Sequence, residues 1–368
     1  KTYPLKVFLI LLLSCLSICN AQNPKKPNFI VILTDDQSWV GTSFLADPED
    51  PRSKSDYYQT PNMKRLAESG MRMTNGYAPA PFCSPTRKSI LTGLTPAKHE
   101  YQKDRENWTK AFRKQMTIPK ILKMADPNYV TAHFGKWDAR YDNFTPEEMG
   151  YDFSDGLTSN NTGGGKKTIN KNGLDFPFKM GEAWPKHFDD PKLIFSLSQR
   201  SNDFIEEQTK KNKPFFIQIS HYAVHLAITY SQKKIDKYIM LDKGKKHFVP
   251  EFAAMTEDMD EGIGMILDKI LSLGIADNTY IIFLSDNGGR TSIPIGPEQQ
   301  VVRNFPLRGG KGSMYEGGLR VPFIVSGPGV SQNTHTDVPV TGLDILPTIA
   351  RLAGYEDPLP KILDGGNI

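Results

Sequence analysis

Unbroken runs of apolar residues recur along the chain and indicate strands that are buried on both faces. The runs lie at 28–33, 214–220, 279–284 and 321–325. Continuous apolar strands of this length are typical of parallel sheets whose two faces are both covered. The pattern therefore predicts four strands of one central sheet.

Helical spacing of apolar residues is found between these runs. Residues 252–273 carry apolar side chains at intervals of three or four, and Gly274 follows as a helix stop. A shorter helix is predicted over 62–70, which also ends in glycine. Strands that alternate with helices predict an α/β fold with a large, mostly parallel central sheet flanked by helices.

The first 21 residues differ from the rest of the chain. Lys1 and Lys6 precede a short apolar run, and small and polar residues follow up to Ala21. This order predicts a secretory signal peptide over 1–21, followed by a single α/β domain over 22–368. The apolar run is too short for a transmembrane helix, and no later segment is apolar enough to cross a membrane.

The leader predicts an exported protein, either periplasmic or secreted. A buried N-terminal strand is the alternative interpretation of the same apolar run, but the polar segment that follows disfavours it. Leu12-Leu13-Ser14-Cys15 also resembles a bacterial lipoprotein cleavage box, so a lipid anchor at Cys15 stays open.

Removal of the leader changes the charge and the cysteine count. The formal net charge of +4 falls by two, which leaves no basic footprint of the kind that binds nucleic acid. Cys83 is then the only cysteine, and a single cysteine cannot form an internal disulfide in an oxidising compartment. Such a residue is either buried and inert or retained for its chemistry, and composition leaves both interpretations open.

Acidic residues follow two of the predicted strands directly. Asp35 and Asp36 come after the first strand, and Asp286 and Asn287 come after the third. Ligands of open α/β sheets bind beyond the carboxyl ends of the strands. If the two strands are parallel neighbours, three carboxylates meet there, and a hard divalent cation would neutralise their repulsion. The alternative interpretation of Asp-Asn-Gly is a simple turn.

A motif between these strands points to a family. Residues 81–93 read Pro-Phe-Cys-Ser-Pro-Thr-Arg-Lys-Ser-Ile-Leu-Thr-Gly. Cys-x-Pro-x-Arg followed by Leu-Thr-Gly resembles the signature of the formylglycine-dependent, cysteine-type sulfatases of the alkaline phosphatase superfamily. The further segments that resemble parts of this family are 28–36, 278–289, 304–318 and 342–348. The resemblance covers 27–366 and implies an alkaline-phosphatase-like fold and a sulfuric ester hydrolase that acts on a sulfated carbohydrate.

The resemblance also implies a mechanism. A formylglycine-generating enzyme would oxidise Cys83 to formylglycine, which hydrates to a geminal diol. One hydroxyl attacks sulfur and displaces the alcohol, and the second then loses its proton as sulfate is expelled. Arg87, one helical turn later, is expected to hold the diol and the oxygens on the metal side.

The family pattern assigns further roles to residues of this chain. The expected metal ligands are Asp35, Asp36, the derivative of Cys83, Asp286 and Asn287. One divalent cation is implied, calcium by family resemblance, although four oxygen ligands fit magnesium as well. Lys136 and Lys311 match the family lysines that bind sulfate.

Histidines are the expected proton donors to the leaving oxygen. His225 matches the family histidine that faces the leaving group, and imidazole suits proton transfer near neutral pH. The prolines that commonly flank that histidine are missing here. His221 is expected to be structural or a contact at the rim of the site.

Two departures from the family pattern affect these expectations. Asp138 stands where the family usually has a histidine after Gly-Lys-Trp, and an aspartate carries the wrong charge to bind sulfate directly. Asp138 is therefore expected to be protonated or turned towards a cationic group of the substrate or another residue, and to mark a subfamily with its own substrate geometry. His225 is left as the better acid, with His99 and His133 as weaker substitutes. The sequence also stops at Ile368, where sulfatases continue into a smaller C-terminal subdomain. Either a fragment or an unusually open substrate site is expected, and a fragment is favoured.

Three functions follow from these observations. Hydrolysis of a sulfate ester leads. The runner-up keeps the fold and metal but acts on phosphate or phosphonate monoesters, as relatives in the superfamily do. The third, favoured by Asp138 and the short C-terminal part, is a catalytically silent protein that binds sulfated glycans.

Overall fold

The computed structural model describes residues 25–99, 105–138, 144–160, 162–163, 168–169, 175–176, 186–295, 298–299 and 303–368. The predicted signal peptide over 1–21 lies outside these residues. Within the described ranges, no helix has the length and apolar character that crossing a membrane requires. The boundaries predicted for the leader and the domain stay predictions.

Strands and helices alternate along most of the chain. The strands are β1 Asn28–Thr34, β2 Met71–Met73, β3 Gly76–Tyr77, β4 Val130–Gly135, β5 Phe153–Ser154, β6 Thr168–Ile169, β7 Asp175–Phe176, β8 Lys186–His187, β9 Phe215–Ser220, β10 Thr229–Tyr230, β11 Thr279–Ser285, β12 Pro294–Ile295, β13 Glu298–Gln299, β14 Phe323–Ser326, β15 Thr334–Thr336 and β16 Val340–Thr341. The helices are α1 Pro61–Glu68, α2 Cys83–Thr92, α3 Pro96–His99, α4 Arg105–Arg113, α5 Ile118–Ala125, α6 Ile194–Lys210, α7 Gln232–Met240, α8 Pro250–Ser272, α9 Glu316–Leu319 and α10 Ile345–Leu352.

The central sheet has the strand order β15-β2-β14-β11-β1-β9-β4-β5. Strands β11, β1, β9, β4 and β5 are parallel, whereas β14 runs antiparallel to both β11 and β2. The predicted mostly parallel sheet with flanking helices is therefore confirmed. The predicted run at 321–325 overlaps β14 at Phe323–Ser326, but the direction of β14 is opposite to that of the strands that carry the acidic residues.

Helices cover both faces of the sheet, which explains the unbroken apolar strands. Ile30 and Ile32 of β1 pack in one buried cluster with residues of α1, α6 and α8. Val31 and Leu33 pack in a second cluster with residues of α2, α5 and α10. Successive side chains of a strand point to opposite faces, so a central strand that is covered on both sides needs apolar residues throughout.

The parallel strands end at one edge of the sheet. Thr34 pairs with Ser285 across β1 and β11, and Gly135 pairs with Ser220 across β4 and β9. Gly135 has a φ of 90°, and a side chain there would collide with the carbonyl oxygen of Ser220. A glycine is therefore needed where β4 turns into Lys136. The segments that follow β11, β1, β9 and β4 therefore lie together at this edge.

Candidate active site

The acidic cluster consists of Asp35, Asp36, Asp286 and Asn287 at the carboxyl ends of β1 and β11. All four side chains are buried, at 2% exposure or less. The backbone N–H of Asp36 donates to Asp286 Oδ1 at 3.2 Å, and Asn287 Nδ2 donates to Asp36 Oδ1 at 2.8 Å. The parallel pairing of β1 with β11 is what brings these residues together.

Helix α2 places Cys83 and Arg87 beside the acidic cluster. Cys83 is the first residue of the helix and is fully buried. Arg87 lies one turn later, and its Nε and Nη2 donate to Asp286 Oδ2 at 3.0 and 2.7 Å. Its Nη1 donates to the carbonyl oxygen of Lys136 at 2.6 Å. The α2 helix ends at Gly93, whose left-handed conformation favours glycine.

The donor atoms of this site suit a hard divalent cation. One ligand atom each of Asp35, Cys83 and Asp286 lie within 4.8 Å of one another. Asp35 Oδ1, Asp36 Oδ2 and Asn287 Oδ1 are buried and have no hydrogen-bond partner among the described residues. Buried polar atoms are normally satisfied, so these oxygens call for a ligand. Carboxylate and amide oxygens are the ligands that calcium and magnesium prefer.

Titration of the cluster also reflects crowded negative charge. Burial raises the pKa of Asp35, but Lys136 and the other surrounding cations outweigh it and hold that pKa well below its usual range. Burial and the neighbouring Asp35 raise the pKa of Asp286 to about 7, although Arg87 opposes this shift. A divalent cation among these oxygens would favour the ionised form of every carboxylate.

The thiol of Cys83 is not activated as a thiolate. Burial raises its pKa to about 11, with Asp138, Asp286 and Asp35 adding to the shift and Lys136 opposing it. The thiolate is the nucleophilic form of cysteine, and it is a small fraction of this residue at neutral pH. The unmodified side chain is therefore a poor nucleophile in this position.

Two lysines hold positive charge against the acidic cluster. Lys136, at the end of β4, is fully buried and its Nζ lies 2.6 Å from Asp35 Oδ2. Lys311 lies in a loop, and its backbone N–H donates to the carbonyl oxygen of Gly289 at 2.9 Å. The Nζ of Lys311 lies 2.5 Å from Asp36 Oδ1. The two ammonium groups approach from different segments.

His225 lies beside the same cluster. Its Nδ1 contacts the carbonyl oxygen of Leu226 at 2.6 Å, so Nδ1 carries the hydrogen and Nε2 is the basic nitrogen. Nε2 lies 3.9 Å from Asp36 Oδ2. Burial lowers the pKa of His225 to about 4 despite the nearby carboxylates, so the imidazole is neutral near pH 7.

The other histidines considered from the sequence have different surroundings. His99 Nε2 contacts Ser89 Oγ at 2.8 Å, and His133 Nε2 contacts Ser220 Oγ at 3.2 Å. His221 is fully buried, which excludes the expected rim contact. Neither ring nitrogen of His221 has a hydrogen-bond partner within the described part of the chain, and burial lowers its pKa to about 4.

Asp138 lies next to Lys136. Its Oδ2 is 3.7 Å from Lys136 Nζ, and its backbone N–H donates to the carbonyl oxygen of Thr158 at 2.9 Å. The residue has a φ of 56° and is 3% exposed. A carboxylate therefore occupies buried space beside a lysine that the family pattern assigns to sulfate.

Lys192 is a residue that the sequence did not single out. It is 3% exposed, in a short turn before α6, and the charges that act on it are those of Asp35, Lys136 and Asp36. No motif surrounds it, and lysines are normally solvated surface residues. Only its position in the fold distinguishes it.

Comparisons with known proteins agree on one family. The family model described as Sulfatase matches residues 27–355. A protein of Formosa agariphila named "Sulfatase" is 30% identical over 94% of this chain and 72% of its own length. The N-acetylgalactosamine-6-sulfatase of Mus musculus is 26% identical over 97% of this chain and 68% of its own length.

Solved structures show the same similarity. The crystal structure of Ps i-CgsB in complex with k-i-k-neocarrahexaose has a TM-score of 0.70 and 26% identity, and the alignment covers 93% of this chain and 75% of that one. The PsFucS1 sulfatase from Pseudoalteromonas has a TM-score of 0.71 at 24% identity and supports the fold.

Proposed function

The chain belongs to the sulfatase family, whose members are sulfuric ester hydrolases, and we propose that it cleaves the sulfate ester of a sulfated carbohydrate with a formylglycine made from Cys83. The position of Cys83 carries this proposal. The residue begins α2, is fully buried and lies within reach of Asp35 and Asp286. A thiol whose pKa is about 11 has little use as a nucleophile itself, and conversion to formylglycine supplies, in its hydrated form, a hydroxyl nucleophile for sulfur.

One divalent cation belongs to this proposal. Asp35, Asp36, Asp286 and Asn287 would hold it through oxygens, three of which have no hydrogen-bond partner among the described residues. We propose calcium, because irregular oxygen sets suit it better than magnesium. When bound, the cation supplies Lewis-acid polarisation of oxygens at the reacting centre.

The cationic side chains bind and orient the sulfate. Lys136 and Lys311 each place an ammonium group at the acidic cluster, at 2.6 and 2.5 Å from a carboxylate oxygen. Charge-assisted hydrogen bonds from these groups would hold the sulfate oxygens while sulfur is attacked. Arg87 fixes Asp286 through two N–H groups and so keeps this ligand in one orientation.

His225 is proposed to give a proton to the leaving oxygen. Its neutral imidazole has Nε2 directed towards the cluster and Nδ1–H bonded to the backbone. An anionic sulfate ester nearby favours the protonated imidazole, because opposite charges stabilise each other. The proton taken up on Nε2 would then pass to the alkoxide oxygen as the ester bond breaks.

The substrate class rests on relatives. One is named an N-acetylgalactosamine-6-sulfatase, and a similar solved structure holds k-i-k-neocarrahexaose. We propose a sulfated sugar for this chain too, with Asp138 contacting a hydroxyl or cationic group of the sugar rather than the sulfate. The basic, apolar and small-residue order of 1–21 supports export to where such polysaccharides are found.

Mass spectrometry tests the nucleophile. The protein is made with a formylglycine-generating enzyme, and the tryptic peptide Met73–Arg87 is analysed for an aldehyde or its hydrate at Cys83. Hydrazide labelling of this peptide, together with sulfate release that Cys83→Ala abolishes, is the expected result. An unmodified thiol in cells that convert a control sulfatase would contradict the proposal.

Parallel substrates separate the remaining functions. Hydrolysis of an aryl sulfate much faster than of the matching aryl phosphate is expected. The reverse preference would favour the phosphate or phosphonate hydrolase. Retention of sulfated glycans without any sulfate release from a converted Cys83 would instead indicate a silent binding protein.

A further inference from the structure

Lys192 is held in an unusual turn at the start of α6. Lys192 and Leu193 both have a φ of 54°, a left-handed conformation that residues with side chains adopt rarely. The backbone N–H of Lys192 donates to Thr229 Oγ1 at 3.1 Å, which ties the turn to β10. Two consecutive left-handed residues without glycine are kept only where the surroundings determine the conformation.

The turn lies at the same edge of the sheet as the acidic cluster but on the other face from α2. Helix α6 begins directly after it, and Leu197 of α6 packs against Gly135, where β4 ends. Leu197 belongs to the buried cluster that includes Ile30 of β1, whereas Ile90 of α2 belongs to the opposite cluster. Lys192 therefore approaches the site from the side opposite Cys83.

The ammonium of Lys192 differs from those of Lys136 and Lys311. Each of those two has a carboxylate oxygen within 2.6 Å. Lys192 Nζ makes no hydrogen bond or ion pair with any residue that the structure describes, and the residue is 3% exposed. The attractive charges that act on it are the carboxylates of Asp35 and Asp36.

A buried ammonium of this kind is costly without an anion. Burial lowers the pKa of Lys192 to about 7, with Lys136 adding to the shift and Asp35 and Asp36 opposing it. The charged form has no hydrogen-bond or ion-pair partner among the described residues, and an anion nearby would stabilise it. A sulfate group at the acidic cluster would supply negative charge at the same edge of the sheet as the Lys192 turn.

We propose that Lys192 is a third sulfate-binding lysine, which acts with Lys136 and Lys311 and approaches from the α6 face. This inference rests on the proposed function and adds to it a residue that belongs to no motif. It also gives a reason for Asp138, because a third ammonium offsets the negative charge that this carboxylate brings to the sulfate site.

Direct binding of inorganic sulfate tests the proposal. Isothermal titration calorimetry would compare the formylglycine-bearing wild type with Lys192→Met, a neutral side chain of similar length. Lys192→Met is expected to bind sulfate about tenfold to a hundredfold more weakly, the usual effect of losing a hydrogen bond to a charged group. Lys192→Arg keeps the charge and is expected to restore most of the affinity.

Lys120→Met is the matched control. Lys120 is a partly buried lysine, whose pKa burial also lowers, and its Nζ donates to the carbonyl oxygens of Arg113 and Gln115. Its loss should leave sulfate affinity unchanged. Equal sulfate affinity of Lys192→Met and the wild type would overturn the proposal.

Kinetics distinguish a binding role from a structural one. An aryl monosulfate carries a single anionic group, so Lys192→Met is expected to raise its KM about tenfold or more with a smaller change in kcat. A loss confined to kcat, or to melting temperature, would contradict the assignment. If Lys192→Met does not fold, the extent of chemical acetylation of Lys192 in the wild type is measured with and without sulfate. Sulfate is expected to protect Lys192, and equal acetylation under both conditions overturns the proposal.

Failure of the two proposals can be told apart. A wild type that binds sulfate through Lys192 but hydrolyses no sulfate ester contradicts the proposed function alone. If Lys192→Met hydrolyses sulfate esters as well as the wild type does, only the role of Lys192 is contradicted.

Discussion

Two buried acidic regions of this molecule differ in how fully their carboxylate oxygens are hydrogen-bonded. Asp260 of α8 lies at the first turn of α1, where its oxygens accept hydrogen bonds from Asn62 N, Asn62 Nδ2 and Met63 N between 2.7 and 3.0 Å. Helix α1 has no capping hydrogen bond from Thr60, so Asp260 satisfies its first N–H groups instead. This carboxylate joins two helices.

The acidic cluster has the opposite character. Asp35, Asp36 and Asn287 each keep one buried oxygen without a hydrogen-bond partner in the described ranges. Neighbouring side chains supply charge rather than a complete set of donors. A buried carboxylate whose oxygens are all hydrogen-bonded therefore indicates a structural role, whereas several unsatisfied oxygens at one point indicate a ligand.

The largest expected effect is on activity at the acidic cluster. Asp36→Asn should lower kcat/KM for an aryl sulfate by more than about 100-fold, because it removes a proposed metal ligand and the counter-charge of Lys311. Lys311 is partly accessible to water, so little change in melting temperature is expected. Wild-type activity of this variant would contradict the metal assignment.

Cation binding should also separate the two regions. Calcium added to chelator-treated protein is expected to stabilise the wild type by about 2.7 kcal/mol at a concentration 100 times its Kd. Asp260→Asn should respond like the wild type, and Asp36→Asn should respond weakly. Differential scanning calorimetry measures this, and equal stabilisation of all three would remove the distinction.

Asp260 should affect stability rather than activity. At pH 4 the folded Asp260 is protonated, and both of its oxygens can still accept hydrogen bonds. Asp260→Asn replaces one oxygen by an NH₂ group that cannot accept from the backbone N–H groups, and we expect a loss of about 2 kcal/mol in the free energy of unfolding at pH 4. Burial raises the pKa of Asp260 from 3.8 to about 6, so the folded protein holds this proton more tightly than the unfolded chain.

The stability that Asp260 contributes is therefore complete below pH 3.8 and declines as the pH rises through 6. The difference in unfolding free energy between wild type and Asp260→Asn should shrink over that interval. Denaturant titrations at pH 4, 5, 6 and 7 measure it, and kcat/KM should stay near the wild-type value. A difference that grows with pH would contradict this sign.

The smallest expected effect concerns Asp138. Asp138→Asn removes a negative charge whose oxygen lies 3.7 Å from Lys136 Nζ, and sulfate should then bind about threefold to tenfold more tightly. Asp152→Asn, which removes the exposed partner of Lys123, is the control for charge alone. Weaker sulfate binding by Asp138→Asn would show that the carboxylate supports the site.

Much of the fold could be predicted from local pattern. The apolar runs at 28–33 and 279–284 correspond closely to β1 and β11, and the helical spacing at 252–273 corresponds to α8 at Pro250–Ser272. The direction of β14 could not be predicted, because an apolar run looks the same in either direction of the chain.

The candidate site divides in the same way. Sequence alone determined that acidic residues follow two buried strands and that Cys83 lies in a family motif, since strand burial and motif letters are local properties. The tertiary structure was needed to show that Lys192 is buried at the edge of the sheet where the charges of Asp35 and Asp36 act on it, and that Asp260 caps a helix. Those roles depend on contacts between segments far apart in the chain, and an isolated lysine or aspartate carries no local sign of its partners.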